Sequence, residues 1–395
     1  MPDDLISEST AHRQILILEP KWTGHYPMFA ALVADALQSA TARVTLSLTR
    51  SPRDETGGIP ELAEAEVADR VEVRRNLEEI PSGYSPLTEA GGSLEWSVIE
   101  KEIEAVDPDL ILIPSADALS CARESRSQAR RFGIPIAGCI HNSRFGYHGQ
   151  GVRFQLRREW MRWRMRRCGM TLGTLDPIAV DSGRSIPLHL LPMPIATREI
   201  AAEPPALIQE VRERIGDRRM ILAIGEHSRR KATDRIVASW PEPAPEHAVL
   251  VIAGRRSPEV DKAIEARRSD VEANRIIDID RILGTSEFDA LIEQADVVTA
   301  VYHGHVGISG VVIEAAAQGT AVLGCSDGGI GRQIRDHGLG AVVPTNQEAL
   351  ADALAEIAKA DPRVDDAKRQ AFVDSCRGEA LGRAWKKLLD ISARS

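Results

Sequence analysis

HGHVGISGVVIEAAAQGTAVLGCSDGG, residues 303–329, decides the reading of this chain. It joins a glycine-bearing loop, a helix with a single glutamate, a short apolar strand and a second Gly-Gly loop. Gly304, Gly307 and Gly310 stand where the strand Ala295 to Val301 (ADVVTAV) gives way to a helix over Val311 to Gln318. Glycines there let the backbone approach a ligand, and the first N–H groups of the helix have no partner of their own, so an anion is favoured at that end. Gly319 supplies a helix stop, and TAVLGCS reads as a strand buried on both faces of a parallel sheet. The loop Asp327-Gly328-Gly329 follows at its carboxyl end, where open α/β sheets bind ligands.

Outward from this stretch, strands and helices alternate along the whole chain. Gln14 to Leu18, Arg43 to Leu48, Leu110 to Pro114 and Pro135 to Ile140 read as strands, and Met28 to Leu37 and Leu94 to Ala105 as helices. Residues 49–93 between them read as a long polar region with no motif. After Leu188 to Pro194, Glu203-Pro204-Pro205 breaks regular structure, and the pattern restarts with the strands Met220 to Gly225, Ala248 to Gly254 and Arg275 to Ile279, then the helix Thr285 to Gln294. Such alternation predicts α/β domains with doubly wound parallel sheets. We place an N-terminal Rossmann-like domain at 1–197, a second at 198–376, and an amphipathic C-terminal helix at 377–395.

The order of motifs resembles the family 4 retaining glycosyltransferases of the GT-B fold, in which two Rossmann-like domains face each other over a cleft. Gly307-Ile308-Ser309-Gly310 stands for the family's glycine loop, Glu314 for the second glutamate of its Glu-x7-Glu hallmark, Ala315 to Leu323 for the segment that follows, and Gly328-Gly329 for the last motif. Several positions depart from the pattern. Val306 replaces the first glutamate, flanked by His303 and His305, Arg332 replaces the glutamate after Gly-Gly, and Glu226 replaces the arginine of Gly-Arg-x4-Lys-Gly, where Lys231 is kept and Arg229 and Arg230 lie near enough to compensate.

The resemblance also implies roles. Gly24 and His25, in Thr23-Gly24-His25, correspond to the first-strand loop that approaches the donor phosphates, and His141 to a histidine close to the transferred sugar. Lys231 with Arg229 and Arg230 would neutralise a pyrophosphate, the Gly307–Gly310 loop would cradle it, and Glu314 would hold the ribose. The C-terminal helix would cross back to the first domain, and the acceptor, lipid-linked or carbohydrate, would meet loops within residues 49–93. Taken alone, Glu314 reads equally as a capping or paired carboxylate, and His141 as a structural hydrogen-bonder.

Composition limits the alternatives. The chain has 395 residues, a formal charge of −9 and 43% apolar residues. Length and apolar content suit two cores, whereas the charge and the 4% aromatic content argue against a nucleic-acid partner. The polar, acidic start MPDDLISESTAHRQ and the lack of an apolar run of about eighteen residues predict neither a signal peptide nor a membrane span, and place the protein in the cytoplasm. Cys121, Cys139, Cys168, Cys325 and Cys376 are scattered and read as reduced thiols. Asp278-Ile279-Asp280 looks like a metal-binding Asp-x-Asp but belongs to another fold type, so no metal and no cofactor beyond the donor substrate is expected.

Arg153 to Arg167 (RFQLRREWMRWRMRR) is the one dense basic segment, its arginines recurring four apart. It reads as a helix that lies peripherally on the inner face of an anionic membrane, receives an acidic acceptor, or packs with its arginines paired. The sequence therefore predicts a retaining, metal-independent, hexosyltransferase-like enzyme that uses a nucleotide-sugar donor. The alternatives are a catalytically inactive module that binds a nucleotide sugar or a partner protein, and a sugar-nucleotide epimerase on the same fold.

Overall fold

The computed structural model describes residues 13–21, 26–38, 43–49, 71–80, 88–147, 151–182, 186–195 and 205–394. The chain divides into two compact units, Met1–Ala196 together with Ser375–Ser395, and Thr197–Asp374. Gly24 and His25 lie outside the described residues, as do Thr23 and most of the polar region 49–93.

The first unit is built on β1 (Gln14–Glu19), β2 (Arg43–Thr49), β3 (Glu72–Leu77), β4 (Leu110–Ile113), β5 (Ile136–Ile140), β6 (Thr171–Thr174) and β7 (Leu188–Leu190). These form one parallel sheet in the order β3-β2-β1-β4-β5-β6-β7. Ile15 to Leu18 of β1 and all of β4 and β5 are buried, because helices cover both faces and only apolar residues can fill them. The strand β3 falls inside the region read from sequence as a polar loop. It is an edge strand with a single neighbour, so EVRRNL is only partly buried and carries no apolar alternation to betray it.

The helix Glu89–Val106 contains Gly91-Gly92, an unfavourable pair in a helix. Contact explains Gly92: a Cβ there would lie 2.4 Å from the Ala118 carbonyl oxygen. Thr88 caps the helix, its hydroxyl accepting from the Gly91 N–H at 3.1 Å. The C-terminal helix Gly378–Arg394 belongs to this same unit and packs on the helix Tyr26–Leu37. Gly382 permits the approach, since a Cβ would meet the Ala36 carbonyl at 2.1 Å. Trp385 is fully buried and stands edge-on to Phe29, ring centroids 5.7 Å apart.

The second unit repeats the plan with β8 (Arg219–Ile224), β9 (Ala248–Ala253), β10 (Ile276–Ile279), β11 (Val297–Ala300), β12 (Ala321–Cys325) and β13 (Gly340–Val343), all parallel, in the order β10-β9-β8-β11-β12-β13. In each sheet the winding reverses once, between β1 and β4 and between β8 and β11. Loops leaving the carboxyl ends of those strands diverge there and leave a crevice. The stretch of residues 303–329 builds half of the second reversal point. Its helix runs Gly310–Gln318 and ends on Gly319 at φ 81°. Gly328 and Gly329, read from sequence as a loop, form instead the first turn of the helix Gly328–His337, with Asp327 before it in extended backbone.

Candidate functional site

At the reversal point of the second sheet, β8 is followed by Gly225 at φ 94°, a left-handed conformation that favours glycine. The chain then runs through Glu226 and His227 into the short 3-10 turn Arg229–Lys231. Lys231 folds back so that its Nζ donates to the Ile224 carbonyl at 2.8 Å. The ammonium thereby sits over the end of the strand, only 2.6 Å from where a Cβ on residue 225 would be. Ala232 follows at φ 51° and ψ 30°, a strained position for a side chain. This is where the family pattern carries glycine.

His227 holds the turn from below. It is 2% exposed, and its Nδ1 lies 2.9 Å from the Thr233 hydroxyl at the start of the next helix. Burial and the neighbouring Lys231 charge push its pKa down to about 4, so it is neutral at pH 7. Sequence reading passed over His227, because a single histidine in a charged loop gives no sign of burial.

The turn is bound to the loop after β11. The His303 backbone N–H donates to the Arg230 carbonyl at 2.8 Å. Arg230 Nη1 lies 2.8 Å from His305 Nδ1, while His305 Nε2 lies 3.2 Å from the Ile308 carbonyl. The tautomer with the proton on Nε2 satisfies both contacts. Arg230 and Lys231 also lie over the buried Tyr302 ring, at 5.5 and 5.7 Å. His303 is exposed, its Nδ1 3.3 Å from Arg235 Nη1. The histidines that flank Val306 therefore brace the arginines.

Gly304 and Gly307 take φ 60° and 92°, and the loop delivers Ser309 to the start of the helix Gly310–Gln318, which has no side-chain cap. Arg229, Arg230, Lys231, Gly307, Ile308, Ser309 and Gly310 thus lie on two facing loops at one reversal point, with Glu314 half-buried on the helix behind them. Three cationic side chains, exposed or half-buried, and an uncapped helix N-terminus make the place suited to a polyanion. Of the departures from the family pattern, Glu226 is exposed and pairs with Arg255 at 2.8 Å, and Arg332 pairs with Asp336 one helical turn on at 3.2 Å. The Asp278-Ile279-Asp280 segment ends the outer strand β10, where Arg256 pairs with both carboxylates.

The reversal point of the first sheet has the opposite character. Glu19, ending β1, is fully buried, as is Glu95, and Asp117 is 4% exposed. Lys21 Nζ stands 3.9 Å from Glu95, donates to the Ser115 carbonyl at 3.2 Å and lies 4.8 Å above the Tyr26 ring. Glu19 Oε1 accepts from the Ser115 hydroxyl at 2.6 Å and the Lys21 N–H at 3.0 Å, but Oε2 has no hydrogen bond among the described residues. Burial raises the Glu19 pKa to about 7, Lys21 opposing. Burial works against the Lys21 charge, but Glu95, Asp117 and Glu19 outweigh it and raise its pKa.

His141 follows β5 in this cluster. Asp117 fixes the turn, accepting from the N–H of Asn142 at 2.7 Å and of His141 at 3.3 Å. His141 Nε2 lies 2.8 Å from the Pro114 carbonyl, so it carries the proton and leaves Nδ1 as the acceptor. Desolvation lowers its pKa despite Asp117. Phe29 packs edge-on to it at 4.8 Å, itself backed by Trp385. One hint of this cluster is visible in the sequence, a carboxylate closing the apolar strand QILILE. Glu95 and Asp117 carried none.

Residues 218–360 match the family described as glycosyl transferases group 1. No curated protein matches the chain. Among solved structures, a glycosyltransferase from Rickettsia africae is similar at 15% identity and TM-score 0.66, covering 97% of this chain and 98% of its own. Anabaena HepE, crystallised with UDP and glucose, is similar at 15% identity and TM-score 0.61 over 97% of each chain. A Listeria monocytogenes chain named for a UDP-N-acetylglucosamine 2-epimerase has 15% identity and TM-score 0.59, over 96% of this chain and 95% of that one. The two parallel-sheet units are those of the GT-B fold.

Proposed function

We propose that the chain is a retaining glycosyltransferase that moves a sugar from a nucleotide-diphosphate donor to a hydroxyl-bearing acceptor. The observation that carries this reading is the cationic turn Arg229–Lys231, bound to the glycine loop and uncapped helix start at the reversal point of the second sheet. As the bond to the sugar breaks, the leaving nucleoside diphosphate gains negative charge. Lys231, Arg229 and Arg230, with the helix end at Gly307 to Gly310, would stabilise it. Glu314 would hold the ribose. In the first unit His141 would orient the transferred sugar by hydrogen bonding, and the leaving phosphate takes the acceptor's proton. Charge neutralisation by side chains makes the reaction metal-independent in this reading, so chelation should leave turnover intact. The Glyco transferase match over 218–360 and the fold of the similar structures support it.

Thermal-shift titration with UDP, GDP, ADP and dTDP and their sugars tests the reading. One nucleotide should raise the melting temperature, and Lys231→Ala and Glu314→Ala should abolish the rise. No shift at millimolar ligand sinks it. The similarity to the epimerase-named chain favours a second reading, isomerisation of the donor itself. Incubating the binding nucleotide's sugar without acceptor and following the sugar by NMR separates the two: a new sugar nucleotide means epimerase.

A further inference from the structure

The helix Val152–Met165 presents a face that the donor chemistry does not use. Five large apolar side chains are exposed among the described residues, and three of them belong to this helix: Val152 at 74%, Leu156 at 67% and Trp163 at 43%. At about 100° per residue these three fall within an arc of about 40°. They form one stripe along the helix. Arg153 and Arg157 border it on one side and Arg166 on the other, all exposed, and Arg167 lies over the Trp163 ring at 5.1 Å.

The opposite face anchors the helix. Met161 and Met165 are buried in the core of the first unit, and Arg162 donates to the Phe145 carbonyl at 3.1 Å and the Ser182 carbonyl at 3.4 Å. Arg164 pairs with Glu89. Glu159, the helix's only carboxylate, lies at the edge of the stripe and is neutralised by Arg158 and Arg162, each at 3.1 Å. No carboxylate pairs with Arg153, Arg157, Arg166 or Arg167 among the described residues. Seven arginines against one glutamate within 152–167 contrast with a chain whose formal charge is −9.

We infer that this face docks the protein onto a bilayer containing anionic lipids. The stripe would enter the headgroup boundary, while the arginines extend along it and keep their guanidinium groups at the phosphates. Charge selects the occupant, because a neutral surface leaves four unpaired arginines uncompensated. Among the described residues no helix is long and apolar enough to cross a membrane, so the attachment is in the plane of the surface.

Co-sedimentation of the full chain with vesicles, in low salt and without nucleotide, tests this. Vesicles of phosphatidylcholine with phosphatidylglycerol should carry the protein down, and pure phosphatidylcholine should not. Leu156→Asp with Trp163→Asp should weaken binding about tenfold or more, and Arg153→Gln with Arg157→Gln should also weaken it about tenfold. The second pair leaves the apolar stripe intact, so it reports on charge alone, and an unchanged melting curve certifies each variant. Failure of the wild type to sediment, equal sedimentation with neutral vesicles, or binding unchanged in both variants overturns the inference. None of these outcomes bears on nucleotide binding.

Discussion

The two sheets share a winding plan but carry opposite chemistry at the point where the winding reverses. Between β1 and β4, Glu19, Glu95 and Asp117 are buried around one lysine; between β8 and β11, Arg229, Arg230 and Lys231 lie exposed or half-buried around one buried neutral histidine. The scaffold supplies a crevice and nothing about its charge. The loop residues decide that, and they do so under different constraints. Buried carboxylates persist only if hydrogen-bonded, paired or neutral, whereas cations facing water can wait for an anion at little cost.

The largest expected effect breaks the acidic side of this contrast. Among the described residues Lys21 is the cation beside these three buried carboxylates, and Lys21→Met should cost about 3 kcal/mol or more in urea unfolding at pH 8. A loss below about 1 kcal/mol would mean the carboxylates are already protonated or watered.

Next comes pH, on which the two crevices should act in opposite directions. Glu19 has its folded pKa raised from 4.5 to about 7, so between those values the native state holds a proton the unfolded state has released. Its contribution to stability is full below 4.5 and falls as pH rises to about 7. His227 has its folded pKa lowered from 6.5 to about 4, so its contribution is full above 6.5 and is lost as pH falls toward 4. Each amounts to about 3 to 4 kcal/mol, at 1.36 kcal/mol per unit. Glu19→Gln should therefore flatten the decline toward pH 7, and His227→Gln the decline toward pH 4. Denaturation midpoints measured from pH 4.5 to 8 for both variants should diverge from wild type at opposite ends.

A smaller effect sharpens the basic side. Gly225→Ala places a methyl group against Lys231 Nζ and an alanine at φ 94°, and should cost about 1 to 2 kcal/mol while weakening nucleotide binding. Calorimetric titration with the nucleotide found by thermal shift checks the second part. The smallest change is Ala232→Gly. Relief of the left-handed alanine, partly offset by a freer unfolded chain, should raise stability by about 0.5 kcal/mol. A loss of stability would show that Ala232 packing outweighs its strain.

Much of the second unit was legible because its signals are local. The strand over Ala321 to Cys325, the helix ending on Gly319 and the helix Thr285–Gln294 follow from runs of neighbouring residues, and the structure has them where the pattern placed them. Gly328-Gly329 misled, since two glycines signal a loop unless the backbone around them is already helical. The strand β3 was lost for want of a second neighbour. His141 was readable as a residue at the end of an apolar strand, but its tautomer depends on the Pro114 carbonyl, 27 residues away.

What the sequence determined by itself is the alternation, the parallel sheets and the run of glycines, lysine and glutamate in the second half, because periodicity and backbone freedom are properties of adjacent residues. What only the tertiary structure decided is which side chains meet. Glu19, Glu95 and Asp117 are far apart in the chain and come together because β1 and β4 are neighbours across the reversal of the sheet. Arg230 reaches His305 because β8 and β11 are neighbours in the other. The same holds for the helix Val152–Met165, whose arginines were plain in the sequence while the outward direction of Leu156 and Trp163 was set by where Met161 and Met165 are buried. Burial is a property of the packed chain, and charge acquires its meaning from burial.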